Sequence, residues 1–191
     1  MSTVKAAAVS GAEAENEIFK LPETVESELS ERYPSWCIME DMLYYCGRDG
    51  IVRCLKDGSG AALLSPRAGF VFSNGKDVFC GNSFWIIRLN ADGSDETILK
   101  VRPLVNEAYF RMMNCLSSFT PADDKIYYIL TLYENHCLYV INTDGTGNRK
   151  IGDVCNVLNT IDSIDVSGSS IKVCFSTPDG ETSAIYLEDP A

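Results

Sequence analysis

Histidine chemistry in this chain would depend on one residue, because His136 is the only histidine in the sequence. A Cys-His or Ser-His-Asp arrangement would have to use it, and Cys137 follows it directly. Neighbouring residues of a strand point to opposite faces, so adjacency does not bring these two side chains together. Residues 133–137 are typical of a turn, and we interpret His136 as a hairpin-loop histidine without a catalytic role.

Three acidic, glycine-containing turns could be interpreted as calcium loops, because calcium prefers several oxygen ligands around a tight turn. They occupy residues 57–60, 92–95 and 144–148. None has the spacing of an EF-hand or the glutamate that closes one. Asp-Gly is also the standard hairpin signal, so we interpret these turns as structural and predict no metal site.

Adjacent carboxylates at 123–124 and 188–189 flank turns, and neighbouring side chains on a strand project apart, so acid-base chemistry is not predicted for them. The sequence indicates no catalytic residue and no cofactor.

One group of residues has the types that dominate binding hot spots. These candidate recognition residues are Trp36, Trp85, Arg88, Tyr109 and Arg111. The alternative is that the large aromatic side chains fill the space between packed sheets.

Eight cysteines are present and none forms a CxxC pair, so zinc-finger spacing is absent. An even number would suit four disulfides in a secreted protein. Most of the cysteines lie in apolar, strand-like runs, for which buried free thiols are the better interpretation.

A repeat organises the chain around Asp-Gly pairs at 57–58, 92–93 and 144–145. Each pair closes a short apolar run and precedes another, which predicts a hairpin: 51–56 with 61–64, 86–91 with 97–101, and 138–143 with 149–151. Two further strand-like runs precede each hairpin: 35–39 and 42–45, 70–73 and 77–80, 116–120 and 125–129. The unit is therefore four strands in about 40 residues, as in a propeller blade.

A fourth unit offers three strands, at 161–166, 171–175 and 184–187, and then the sequence ends. Residues 18–21 and 24–29 resemble spare strands, which could complete this unit and close a four-bladed ring. An open partial propeller and a ring completed by a second chain are the alternatives. The insertion at 102–114 is either a binding loop or a longer first strand.

The repeated phrase, an aromatic pair, a polar loop and a run closing on Asn-x-Asp-Gly-Ser/Thr, resembles a known type of repeat. Residues 126–128 with 138–146, and residues 86–94, carry it best. It is similar to the bacterial propeller repeats called low-density-lipoprotein-receptor-related-like domains of unknown function, and more distantly to TolB-type repeats. The likeness spans about 18–187. It implies a propeller-like fold, leaves function open and transfers no site residues.

Composition limits the partners. A net charge of −11 repels nucleic-acid phosphates and anionic membranes, whereas it permits a cationic partner. We predict a flexible acidic tail at 1–17 and a single domain at 18–191, cytoplasmic as written, or exported if the sequence is a piece of a longer protein.

The function predicted from these features is a non-enzymatic binding or scaffolding module for a protein or glycan, either monomeric or an edge-mediated dimer. The alternatives are a propeller-type hydrolase or lyase whose acidic site is assembled from several blades, and an architectural fragment docking through a sheet edge.

Overall fold

The computed structural model describes residues 19–90, 94–100, 115–132 and 134–190. Within these ranges the chain is all-β, as predicted, with its strands in four antiparallel sheets that follow one another along the sequence. The architecture is that of a small propeller-like repeat array. One short helix, α1 (Glu23–Glu28), is described, and no described helix is long and apolar enough to cross a membrane.

Three sheets contain four strands in simple sequential order. The first is β1 (Trp36–Met39), β2 (Met42–Cys46), β3 (Ile51–Leu55) and β4 (Ala62–Ser65), and the second is β5 (Phe70–Ser73), β6 (Val78–Asn82), β7 (Trp85–Leu89) and β8 (Asp95–Lys100). The third is β9 (Cys115–Ala122), β10 (Lys125–Leu132), β11 (Asn135–Asn142) and β12 (Arg149–Asn156).

The fourth sheet, called here the three-stranded sheet, consists of β13 (Thr160–Ser167), β14 (Ser170–Ser176) and β15 (Thr182–Glu188). Its three strands match the three runs predicted for the fourth repeat. Thus the runs predicted from the sequence overlap every described strand, because many of them are rich in aromatic and β-branched residues and Asp-Gly has the chemistry of a hairpin turn.

The chain divides into two compact units: residues 1–82 with 87–96, and residues 83–86 with 97–191. In the first unit, the core of the first sheet centres on Leu43, Tyr45, Cys54 and Val25. In the second unit, side chains of β10, β11 and β12 pack against those of β13, β14 and β15. The predictions of one domain and of an acidic tail stay predictions, and the tail lies outside the described residues.

The prediction of spare strands before residue 30 is wrong for residues 19–28, because residues 19–22 belong to no strand and residues 23–28 form α1. Val25 lies within α1, whereas Leu21 precedes the helix and Leu29 follows it. Pro22 stands at the helix start, and Glu23 and Glu26 occupy its first turn, where acidic residues are favoured. Val25 is buried in the core of the first sheet, and Phe19, Leu21 and Leu29 pack around that core.

Candidate functional site

The structure describes three of the five candidate recognition residues. Trp36 lies in β1, half-buried, with its ring centroid 5.6 Å from that of Phe19, and it packs against the core of the first sheet. The recognition role predicted for Trp36 stays a prediction. Tyr109 and Arg111 lie outside the described residues.

Trp85 and Arg88 both belong to β7 and both are half-buried. Because they are three positions apart, an odd number, their side chains leave the strand on opposite faces. Arg88 forms an ion pair with Glu96. The two side chains therefore do not lie side by side on one face of the sheet. The recognition role predicted for them stays a prediction.

The acidic turns have the internal hydrogen bonds of structural turns where they are described. The Asp57 carboxylate accepts the backbone N–H of Ser59 at 2.9 Å and its hydroxyl at 2.7 Å. Asp144 does the same with Thr146, at 2.9 Å and 2.6 Å. Such bonds hold the carboxylate against its own turn. In the described part of the chain, no group of three His, Cys, Asp or Glu residues is placed to hold a metal ion.

His136 is not in a hairpin loop, and that prediction is wrong. It belongs to β11 and is 6% exposed. Nδ1 lies 3.0 Å from the Thr131 hydroxyl, and Nε2 lies 3.1 Å from the carbonyl oxygen of Asn159. Since a carbonyl only accepts, Nε2 donates and, in the neutral ring, Nδ1 accepts from Thr131. The Ser117 hydroxyl continues the chain, 2.5 Å from that of Thr131.

This chain of hydroxyls joins a potential nucleophile to a base, but its histidine is oriented by a backbone carbonyl rather than by a carboxylate. Thr131 is only 9% exposed, so a substrate would not reach its hydroxyl. All the polar atoms concerned are hydrogen-bonded to one another, as buried polar groups usually are. We therefore interpret the chain as a satisfied polar element of the core.

Cys137 points to different partners from those of His136. Its thiol donates to Asp153 at 3.1 Å, and Lys150 donates to the same carboxylate oxygen at 2.6 Å. Burial, reinforced by the hydrogen bond to Asp153, raises the pKa of the Cys137 thiol. A thiol kept protonated is a poor nucleophile.

The seven cysteines with described side chains are free thiols, four of them buried.

On one side the three-stranded sheet ends at β15. β15 pairs with β14 and with no other described strand. In the other three sheets a fourth strand covers the equivalent position. Most of β15 is exposed, and Tyr186 is 68% exposed.

Two hydrogen bonds at the ends of β15 reveal which backbone groups face outward. Thr177 N–H donates to the carbonyl of Glu181, and Asp189 N–H donates to the carbonyl of Ser169, both at 2.8 Å. Residues 181 and 189 thus face β14, and so do the odd-numbered residues between them, because the direction alternates along an antiparallel strand. Thr182, Ala184, Tyr186 and Glu188 therefore direct their N–H and C=O groups to the open edge.

The side chains alternate in the same way. Those of Ile185 and Leu187 point toward the core that the three-stranded sheet shares with the third sheet. Gly152 of β12 provides room there, since a Cβ at that position would lie 3.3 Å from Leu187 Cδ2. Those of Ala184, Tyr186 and Glu188 are exposed to solvent.

Asp189 fixes the end of β15. Its side chain is 2% exposed and accepts hydrogen bonds from Lys125 at 2.7 Å and from Tyr127 at 2.9 Å. Arg149 forms an ion pair with it and also donates to the carbonyl oxygen of Pro190. We call these four residues the Asp189 cluster: Lys125, Tyr127, Arg149 and Asp189. It joins the end of β15 to the third sheet.

Electrostatics favour the charged form of this carboxylate. Burial alone would raise the pKa of Asp189, but hydrogen bonds from Lys125, Arg149 and Tyr127 outweigh it and hold that pKa below its ordinary value. Burial and the hydrogen bond to Asp189 raise the pKa of the Tyr127 hydroxyl. The cluster is thus a neutralised structural anchor, with no carboxyl group prepared to exchange a proton near neutral pH.

Sequence reasoning gave an open sheet edge as one alternative, and it did not identify the Asp189 cluster. The alternating run at 182–188 indicates a half-exposed strand, but a pattern along one strand does not indicate what lies beside it. The partners of Asp189 are 40 to 64 residues distant in sequence. Only the folded chain brings them together.

Comparison with solved structures shows a likeness in fold. The N-terminal domain of Nup159, a β-propeller, matches with a TM-score of 0.51 and 12% identity over 91% of this chain and 49% of that chain. A chain of a nidogen/laminin complex matches with a TM-score of 0.49 and 13% identity over 78% of this chain and 61% of that chain.

This chain therefore spans about half to three-fifths of the length of these two matched chains. No protein-family model and no curated protein sequence matches it. The likeness to the Nup159 domain supports a propeller-type fold and says nothing about activity.

Proposed function

We propose that this protein is a non-enzymatic protein-binding module, and that its contact surface includes the outer edge of β15. The observation that carries the proposal is that no described strand pairs with the outer side of β15, where the exposed Tyr186 lies. Unpaired edges are templates for another polypeptide, and proteins otherwise cover or blunt them. Tyrosine is also enriched at protein interfaces.

A protein suits this surface better than a glycan does. The groups on offer are backbone N–H and C=O groups at strand spacing, to which an extended polypeptide is complementary. We also infer that the repeats are of the low-density-lipoprotein-receptor-related-like or TolB-like type, on the basis of the repeated phrase in the sequence and of the propeller-type fold.

The hydrolase or lyase alternative lacks a comparable observation. Asp189 is the buried carboxylate of the described residues, and it is neutralised by Lys125 and Arg149. His136 ends its hydrogen-bond chain on a backbone carbonyl. Neither group is free to act on a substrate in this geometry.

Site-specific cross-linking tests the proposal. A photoreactive amino acid replaces Tyr186 in one variant and Leu158, which is 74% exposed in the turn before β13, in the control. Added to an extract of the source organism, the variant at 186 should cross-link a defined protein that the control does not. Cross-links that are absent at 186, or identical at both positions, would contradict a binding surface on β15.

A further inference from the structure

Resting on the proposed function, the geometry points to one class of partner: an extended, basic polypeptide segment that adds to β15 as an antiparallel fourth strand. Its alternating side chains are apolar toward the core and carry lysine or arginine toward solvent. The argument has three steps: the shape of the open position, the faces of the sheet and the charge around it.

The open position has the shape of a strand. In each of the other three sheets the third strand is flanked by a fourth, namely β4 beside β3, β8 beside β7 and β12 beside β11. β15 is the third strand of its sheet, and Thr182, Ala184, Tyr186 and Glu188 direct their backbone groups to the equivalent place. An added strand would exchange main-chain hydrogen bonds with those four residues.

The two faces of the sheet set the side-chain pattern of the occupant. Cross-strand neighbours share a face, so residues opposite Ile185 and Leu187 would extend the apolar core between the sheets. Residues opposite Tyr186 and Glu188 would stand on the solvent face, beside an aromatic ring and a carboxylate. Apolar residues must therefore alternate with polar ones.

Charge selects among polypeptides of that pattern. Residues 160–188 contain Lys172 as their only cationic residue, against five carboxylates, all of them exposed. These are Asp162, Asp165, Asp179, Glu181 and Glu188. Opposite charges across a strand pair stabilise it and like charges destabilise it. A second copy of this chain would bring the same carboxylates together and has a net charge of −11, so a basic partner is favoured.

The test uses the peptide Lys-Val-Thr-Ile-Lys-Val-Lys as probe, with Glu-Val-Thr-Ile-Glu-Val-Glu as the matched acidic control. Titration of the full chain, followed by amide NMR shifts, should show the basic peptide binding at least about tenfold more tightly, with the difference shrinking at high salt. The shifts should be concentrated at residues 182–188. Equal affinity for the two peptides would overturn the basic occupant while leaving the proposed function standing.

Backbone pairing is tested separately. N-methylation of the third and fifth peptide residues, opposite Tyr186 and Ala184, removes donors that face the edge, and should weaken binding by about tenfold or more. Methylation of the fourth residue alone, whose N–H points away, should change affinity by less than about threefold. The protein variant Ala184→Pro should lose affinity in the same way relative to Ala184→Val, since an edge proline is tolerated when its nitrogen faces outward.

The remaining outcomes are also decisive. Equal effects of the two methylation patterns would overturn strand addition. If neither peptide binds while cross-linking through position 186 succeeds, the strand-addition inference fails and the proposed function survives. If neither peptide binds and cross-linking fails as well, both are overturned.

Discussion

Among single residues, Asp189 combines deep burial with three hydrogen-bond donors, and it is the anchor that positions the end of β15. Replacing it by asparagine keeps the size of the side chain and removes the charge that Lys125 and Arg149 neutralise. We expect Asp189→Asn to lower the free energy of unfolding by about 2–3 kcal/mol at pH 7, because breaking a buried pair leaves its partners uncompensated.

Urea unfolding measures this change, and Glu188→Gln is the matched control. Glu188 is the adjacent carboxylate but is exposed, so its replacement should change stability by less than about 0.5 kcal/mol. Equal effects of the two substitutions would show that the Asp189 cluster is not an anchor.

Lowering the pH should abolish the contribution of the Asp189 charge to the free energy of unfolding. The pKa of Asp189 is lowered in the folded state, so its stabilising effect is complete above the unfolded value of about 3.9 and is lost as pH falls through the folded pKa. The unfolding free energies of the wild type and Asp189→Asn should therefore converge as the pH is lowered below about 4. A gap that stays constant with pH would contradict an ionised Asp189.

At the scale of elements, the close approach of Gly69 to Gly81 shapes the start of β5. A Cβ at Gly69 would lie 2.3 Å from the carbonyl oxygen of Gly81 and 3.0 Å from Cys80 Sγ. Because backbone cannot retreat as a flexible side chain can, Gly69→Ala should lower the free energy of unfolding by about 2–4 kcal/mol.

Gly75 provides the comparison for this substitution. It has a φ of +86°, and no atom lies within 4 Å of the place that an alanine methyl group would take, so Gly75→Ala should cost only about 1 kcal/mol. Chemical denaturation of both variants checks the difference. A Gly69→Ala protein as stable as Gly75→Ala would contradict the close approach of these backbones.

Most elements were predictable from the sequence because their signals are local. An Asp-Gly pair indicates a hairpin turn, and short runs rich in aromatic and β-branched residues identify the strands. Tyr127 and Tyr128 illustrate this, since their run was predicted as a strand and forms β10. The repeat spacing then indicated the sheets.

The failures came where a local signal had two interpretations. Polar residues 134–136 are typical of a turn, yet β10 ends at Leu132 and β11 begins at Asn135, so His136 enters the strand and bonds to Thr131. Thr24 and Val25 were interpreted as strand residues, but they lie in α1, where Pro22 and the acidic residues of the first turn favour a helix start. The three runs of the fourth repeat made an open edge one alternative, but only the strand pairing assigns it to β15. The Asp189 cluster was not predictable, because its members are distant in sequence.

At the scale of the whole molecule, the single-domain prediction can be tested by cooperativity. The division between the compact units falls inside β7 and inside β8, and a hydrogen-bonded strand does not readily unfold in halves. We expect one urea transition, with tryptophan fluorescence and far-UV circular dichroism coinciding. Two separated transitions would assign the units to independent domains.

Association state is a second property of the whole chain. Like charges oppose edge-to-edge pairing of two copies that each have a net charge of −11. Size-exclusion chromatography with light scattering should therefore give the 21.0 kDa mass of one chain at micromolar concentration. A dimer that Ala184→Pro converts to monomer would instead make a second copy the occupant of β15.

Amide hydrogen exchange of the free chain tests the open edge most directly. Ala184 and Tyr186 direct their N–H groups outward and should exchange rapidly, whereas Ile185 and Leu187, which donate to β14, should be protected by at least about a hundredfold more. Such alternation along one strand would confirm that the β15 edge is available to a partner. Equal, strong protection of all four amides would mean that another strand already covers it, and would contradict the proposed binding surface.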